Sequence, residues 1–312
     1  MNTVFNRRTV LMAAALGAST TLLQACGGSD DEPQRNIVEL AQNTPELSIL
    51  VEAVVAAGLA PTLSTGTRTV FAPTNAAFAA LLTELGVTKE ALLANKPLLT
   101  AVLTYHVLSS KVMRADVPLG KAITPMSGGF FKIESNNGLK ITDGRNRVST
   151  ITSTDIQASN GVVHLVDKVL LPADKDIVAT ASALPDFSIL VEAVVAAGLV
   201  STLQGAGPFT VFAPTNAAFA ALLTELGVTK DALLANKTLL TQVLTYHVVP
   251  ARVLKAEVPV NTAITTVQGQ TFTINASLVI TDQNMRTSNI VATDVFTKNG
   301  VIHVVDKVIL PK

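Results

Sequence analysis

Between residues 47 and 108 the apolar positions mostly recur at helical spacing, broken by one short unbroken apolar run. Leu47, Leu50, Val51, Val54 and Val55 fall on one face of a helix, and Gly58 follows where a left-handed residue can end it. Thr69 to Ala72 form a run too short for a helix and predict a buried strand, stopped by Pro73. Thr74 or Asn75 can cap the next helix, which turns Phe78, Leu81, Leu82 and Leu85 inward and closes at Gly86. Thr88 can cap a further short helix to Leu93. Leu98 to Thr104 predict another, leading into a strand at Tyr105 to Leu108.

After residue 110 the pattern changes. The chain becomes rich in Thr, Val and Ile, with turn signals at Gly128-Gly129, Asn137-Gly138 and Asp143-Gly144. Asn160-Gly161 predicts a hairpin joining a strand near 152–157 to one at 162–170. Helices first and mostly antiparallel strands afterwards give the class α+β.

The whole pattern then occurs a second time. Ser48 to Leu59 recur unchanged from Ser188 to Leu199, and Thr69 to Phe78 recur from Thr210 to Phe219. Thr104-Tyr105-His106-Val107 returns as Thr245-Tyr246-His247-Val248, and Asn160-Gly161-Val162-Val163-His164 as Asn299-Gly300-Val301-Ile302-His303. The offset of about 140 residues is too long for a solenoid unit and long enough for each copy to bury its own core. Two tandem domains are expected, 35–172 and 173–312. The copies do not diverge evenly. Segments 111–150 and 252–288 differ widely, as in Gly128-Gly129-Phe130-Phe131 against Gln268-Gly269-Gln270-Thr271. Partner specificity in this β-rich segment and drift in weakly constrained loops both account for that.

Composition narrows the function. Nearly half of the 312 residues are apolar, the net charge is zero and only 15% are charged. A nucleic-acid partner would require a basic face to neutralise phosphates, so none is expected. Tryptophan is absent, which argues against an aromatic-lined sugar cleft. A single cysteine, Cys26, excludes an intramolecular disulfide.

That cysteine lies in a segment with the character of an address. Residues 1–26 combine Arg7 and Arg8 with an apolar stretch from Val10 to Ala25, short and diluted for a membrane span. Asn6-Arg7-Arg8-Thr9-Val10-Leu11 resembles the twin-arginine export motif, with an ordinary secretory signal as the alternative. Leu23-Gln24-Ala25-Cys26 resembles a bacterial lipobox, although Gln24 departs from the usual small residue. The resemblance implies a lipid on Cys26 and cleavage before it, which would anchor the chain to a membrane. Residues 27–34 suit a flexible spacer, and Gly27 lacks the Asp that retains lipoproteins in an inner membrane. The chain is therefore expected in the bacterial envelope, exported and anchored, at the outer membrane or periplasmic face.

The four histidines are the first candidates for chemistry. None sits at metal-ligand spacing, and neither a nucleophile elbow nor a P-loop is present. No cofactor is expected. His164 and His303 lie in alternating Val/Ile strands, where a half-buried structural histidine donating one hydrogen bond is the expectation. Asp167 and Asp306, three residues on, fall on the opposite strand face. Tyr105-His106 and Tyr246-His247 stand at a helix-to-strand transition, where Tyr can fill the core and His can tie backbone together.

These residues resemble a known family. Thr-Val-Phe-Ala-Pro-Thr-Asn-Ala-Ala-Phe at 69–78 and 210–219 is similar to the first signature of the fasciclin-1 (FAS1) domain, and Asp155 to Asp167 to the second. Tyr105-His106 and Tyr246-His247 match the family's central motif. The resemblance implies a wedge of β-strands with helices packed beside it in each domain. It also implies adhesion or extracellular protein binding without catalysis, with a cell-surface or matrix protein as partner. It further marks Tyr105, His106, Asp155, Ile156, Tyr246 and His247 as candidate interaction residues. The second copy's candidates at the same place are Asp294 and Val295, where Val295 departs from the isoleucine at Ile156. Binding of a polysaccharide or a small ligand is the alternative, favoured if a concave pocket gathers polar groups.

Overall fold

A computed structural model describes residues 35–312. The expectations for Arg7, Arg8, Cys26 and the spacer at 27–34 fall outside the described residues.

The first repeat begins with three short helices, α1 (Ile37–Gln42), α2 (Ser48–Ala56) and α3 (Ala60–Ser64), then strand β1 (Arg68–Pro73). Helices α4 (Asn75–Leu85), α5 (Lys89–Ala94) and α6 (Lys96–Tyr105) follow. Strands β2 (Val107–Leu108), β3 (Ala122–Ile123), β4 (Phe131–Ser135), β5 (Leu139–Thr142), β6 (Val148–Ala158) and β7 (Gly161–Val166) complete it. The second repeat reproduces the order as α7 (Ile177–Ser182), α8 (Ser188–Ala197), α9 (Val200–Leu203) and β8 (Phe209–Pro214). It continues with α10 (Asn216–Leu226), α11 (Lys230–Ala235), α12 (Lys237–Tyr246), β9 (Val248–Val249) and β10 (Ile264–Thr265). It ends with β11 (Thr271–Ile274), β12 (Val279–Thr281), β13 (Thr287–Thr297) and β14 (Gly300–Val305).

Local chemistry sets the ends of these elements. Thr74 and Thr88 accept hydrogen bonds from the backbone N–H groups of Ala77 and Ala91, and Gly86 takes the left-handed conformation that ends α4. Tyr105 is the last residue of α6 rather than the first of a strand. The helical ladder runs on until His106 N–H bonds Leu103 O, so β2 shrinks to two residues.

Each sheet has seven strands, in the order β2-β1-β7-β6-β5-β4-β3 for the first repeat. Neighbours are antiparallel except β1 and β7, which run parallel from Arg68↔Gly161 to Pro73↔Val166. The sheet separates two cores because side chains alternate along β1. Val70 and Ala72 face the helices with Leu50, Val54, Phe78 and Leu103, whereas Phe71 faces Phe131, Ile133, Ile141 and Tyr105. The second repeat repeats both clusters, with Phe212 against Phe272 and Tyr246.

Two apolar positions expected to face inward do not. Val55 is 61% exposed and Leu85 lies at the surface, as do their counterparts Val195 and Leu226. Leu50 and Val54 already fill the contact of α2, and Val55 is rotated by one helical step off that face. Leu85 ends α4, immediately before the chain turns at Gly86.

The parallel pairing leaves no room above Gly161. A Cβ there would sit 1.9 Å from Arg68 O, and one on Gly300 would sit 2.1 Å from Phe209 O. Gly161→Ala and Gly300→Ala should each cost at least ~3 kcal/mol in urea unfolding, because backbone must move to admit the methyl. Gly58→Ala, which meets nothing within 4 Å, should cost about 1 kcal/mol from its left-handed backbone alone.

Candidate functional site

The Tyr-His motif lies in the core in both repeats. Tyr105 and Tyr246 are fully buried, and each hydroxyl donates to a backbone carbonyl at the start of a distant strand, Phe130 O and Thr271 O respectively. His106 is buried beneath them. Its Nδ1–H donates to Val102 O at 2.7 Å, and its Nε2 accepts from Leu170 N–H at 2.8 Å. His247 makes the same pair of bonds with Val243 O and Ile309 N–H. One ring thus ties the end of α6 to the segment after β7, and both nitrogens are occupied. These four side chains present no surface to a partner.

His164 and His303 are fully buried, not half-buried, and each ring makes two hydrogen bonds rather than one. Nδ1 of His164 accepts from Asp155 N–H at 3.2 Å, and Nε2–H donates to Val112 O at 3.0 Å. His303 does the same with Asp294 N–H and Val253 O. The sheet face that carries them is covered by the segment after β2 and its counterpart after β9, whose Val112 and Val253 carbonyls meet the rings. Asp167, at the surface, accepts instead from Ser149 and Thr150.

Asp155 and Asp294 sit where β6 and β13 shift register, with left-handed backbone at φ 60° and 61°. Each spends one carboxylate oxygen on a turn beside the sheet. Asp155 Oδ1 accepts from Arg114 N–H and Asp294 Oδ1 from Lys255 N–H, both at 2.8 Å. Ile156 and Val295 are half-buried against the helical cores. The motif is thus primarily a clasp between bulge and turn. The copies differ in what the second oxygen meets. Asp294 is only 6% exposed, and its Oδ2 holds Lys132 of the first repeat at 2.8 Å.

That ion pair is the centre of a junction between the repeats. Lys132 also reaches Glu134 at 2.9 Å. Burial alone would lower its pKa, but the hydrogen bonds and charges of Asp294 and Glu134 outweigh this and raise it. Phe130 packs on Phe296 with ring centroids 4.7 Å apart, and the Arg252 guanidinium lies 4.5 Å from the Phe130 ring centroid. The Asn146 amide pairs with the backbone of Phe296, accepting from its N–H at 2.6 Å and donating to its C=O at 3.0 Å. The sequence pattern marked Phe130 only as part of a divergent segment and did not single out Lys132, Asn146 or Phe296. A signal existed: each departs from the residue at the same place in the other copy.

Concave space is of two kinds. Each helical core holds an apolar slot of about 30 Å³, room for one water molecule, lined by residues such as Leu50 and Leu103 or Leu190 and Leu244. A wider cleft of about 580 Å³ lies beside the junction, lined by Glu84, Arg145, Asp174, Lys175 and Thr180 among others. Arg145 pairs with Asp174 at 3.0 Å, and its buried Nε has no hydrogen-bond partner. Among the described residues no three His, Cys, Asp or Glu side chains gather as metal ligands, and no helix is long and apolar enough to cross a membrane.

The fasciclin domain profile matches residues 45–172 and again 185–311. The chain belongs to the fasciclin family. Transforming growth factor-beta-induced protein ig-h3 of Sus scrofa is 30% identical over 255 residues, which are 79% of this chain and 35% of that protein. Protein sll1483 of Synechocystis sp. is 45% identical over 136 residues, 43% of this chain and 73% of its own. The chain thus spans about a third of ig-h3. Among solved structures, the FAS1 domain pair from the insect cell adhesion molecule Fasciclin I matches 85% of this chain and 97% of its own, with 17% identity and a TM-score of 0.43. The fasciclin pair has the expected α+β class, a sheet with packed helices in each domain.

Two predictions come from these contacts. Burial pushes His106 and His247 down to about 4 from an ordinary value of 6.5, so the folded rings stay neutral where unfolded ones are charged. Stability is then complete above pH 6.5 and falls as the pH drops toward 4, by about 2 kcal/mol per ring at pH 5. Unfolding free energies between pH 7 and 5 should show this slope, to which His303, also pushed down by burial, adds, and His247→Gln should remove one ring's share of it. Lys132→Ala should cost about 3–5 kcal/mol, because it strands the Asp294 carboxylate in a closed contact. A thermal or urea titration of that variant checks it.

Proposed function

We propose that this fasciclin pair is an exported, lipid-anchored protein of the bacterial envelope that works by adhesion or extracellular protein binding and not by catalysis. The observation that carries the proposal is the commitment of the motif side chains. Tyr105, His106, Tyr246, His247, His164 and His303 are all buried with their polar atoms bonded to backbone, which suits a scaffold and leaves no imidazole for acid–base work. The family resemblance supplies the class of activity. Lipid on Cys26, following the Arg7-Arg8 segment, would supply the attachment, and two or more acyl chains hold a protein stably at a membrane. The partner is a cell-surface or matrix protein. Of the two Asp-Ile positions only Asp155-Ile156 is open to it, because Asp294-Val295 lies against the first repeat.

A second reading, binding of a polysaccharide, is favoured by the 580 Å³ cleft, where Arg145, Asp174, Lys175 and Thr180 offer both donors and acceptors. Neutral-sugar arrays bound by the Cys26→Ser protein, and lost in Arg145→Gln, would support it.

Cys26→Ser should shift the protein from the membrane fraction to the soluble fraction and abolish the size change on processing. A variant that remains membrane-bound sinks the anchor. Cells producing the wild-type chain should adhere to protein-coated surfaces more than cells lacking it, with Asp155→Asn reducing the difference. Equal adherence of producing and non-producing cells sinks the adhesive role.

A further inference from the structure

The junction explains why the two repeats diverge where they do. Its first-repeat side consists of Gly120, Ala122, Phe130, Lys132 and Asn146, all within segment 111–150. Its second-repeat side consists of Arg252, Leu254, Ala256 and Glu257, with Asp294 and Phe296 from the hairpin. Structural equivalence shows what each repeat carries at the face it does not use.

On the second repeat, the face corresponding to the first repeat's junction side is rewritten at four places. Phe130 corresponds to Thr271, not to Gln270 as the residue-by-residue sequence comparison set them, since the carbonyls of Phe130 and Thr271 accept from Tyr105 and Tyr246. Lys132 then corresponds to Thr273, one position beyond the paired Phe131 and Phe272. Asn146 corresponds to Met285, each left-handed and three residues past an aspartate whose carbonyl it bonds. Gly120 corresponds to Asn261, whose N–H groups bond Ile133 O and Ile274 O. At Gly120 the junction needs glycine, because a Cβ would come within 2.9 Å of the Ala256 methyl. The stacking aromatic, the buried cation, the backbone-pairing amide and the glycine gap are therefore all missing from the second repeat's free face.

The free face of the first repeat is altered as well. Phe296 corresponds to Gln157, each paired with the valine that follows the hairpin glycine, Val301 and Val162 respectively. Gln157 is exposed and takes Lys111, whereas Phe296 is buried in the junction. Leu254, fully buried, corresponds to the partly exposed Met113 at the same place before the short turn. The aspartate and its clasp are retained in both copies, as are the small residues Ala115 and Ala256 in the turn that the clasp holds.

We infer that the divergent segments encode position. The first repeat's is written to dock the second repeat head to tail, and both outer faces are written to end the array, so the surface that would accept a further copy has been removed. A head-to-tail contact between like units propagates unless its ends are blocked. Here Phe130, Lys132, Asn146 and Phe296 make the contact once, and Thr271, Thr273, Met285 and Gln157 stop it from repeating. Neither drift nor partner choice is required to explain the difference.

The test has a loss arm and a gain arm, both on the full-length Cys26→Ser chain so that no membrane is needed. The Phe296 amide, bonded across the junction to Asn146, reports docking by hydrogen exchange. Lys132→Asp should speed its exchange roughly a hundredfold while amides of β7 and β14 keep their protection, and the charge-conserving Lys132→Arg should stay within a few-fold of the parent. In the gain arm, Asn261→Gly, Thr271→Phe, Thr273→Lys and Met285→Asn are combined with Gln157→Phe. Light scattering should show concentration-dependent oligomers for this variant and a monomer for the parent. The inference is overturned if the parent self-associates. It is equally overturned if the five-site variant keeps its fold and stays monomeric, or if Lys132→Asp leaves Phe296 exchange unchanged.

Discussion

In each repeat the last strand lies parallel to the first, and the rest of the domain depends on that pairing. β7 runs beside β1, and β14 beside β8, with six consecutive register pairs in each case. The pairing forces glycine at positions 161 and 300, where the neighbouring backbone comes too close for any side chain. It also brings residues nearly a hundred positions apart into one sheet, so helices inserted between them must pack on one face while the intervening strands add to the edge. The two clusters of core residues, one under the helices and one beneath the outer strands, follow from the alternation of side chains across this central pair.

The buried histidines secure the same pairing from either side. His106 spans from α6 to the chain just after β7, and His164 spans from β7 to the bulge and to the segment after β2. Each ring uses one nitrogen as donor and the other as acceptor, an arrangement only the neutral imidazole can supply. This makes the motif structural in mechanism even though it is the most conspicuous pattern in the chain. Exposed surface lies elsewhere, at the half-exposed Asp155, the polar cleft beside Arg145, and the faces that the junction leaves open.

The helical half of each repeat was legible residue by residue, because caps, glycine stops and inward-facing leucines act within one or two turns. Thr74, Gly86, Thr88 and Phe78 do what their types and spacing require. Errors arose where a neighbour outside the window decides: Val55 has the right spacing but finds the face already filled, and Tyr105 is held in helix by a ladder that continues one turn further. The candidate site was legible only as a set of residue types. Tyr105, His106, Asp155 and Ile156 were identifiable as a motif, but whether a side chain points into a core or toward a partner depends on the segment that covers it.

By itself the sequence determined the duplication, the α+β order within each copy, the hairpin at Asn160-Gly161, and the resemblance to the fasciclin family, since these rest on local pattern and repetition. Tertiary structure alone decided that His164 and His303 are sealed, that β1 pairs in parallel with β7, and that Asp294 answers Lys132 from the other repeat. The physical reason is range. Capping, turn and periodicity signals act over a few residues, whereas desolvation and pairing of a charge depend on whatever chain arrives from far away, here Lys132 closing over Asp294 while its twin Asp155 remains open to water.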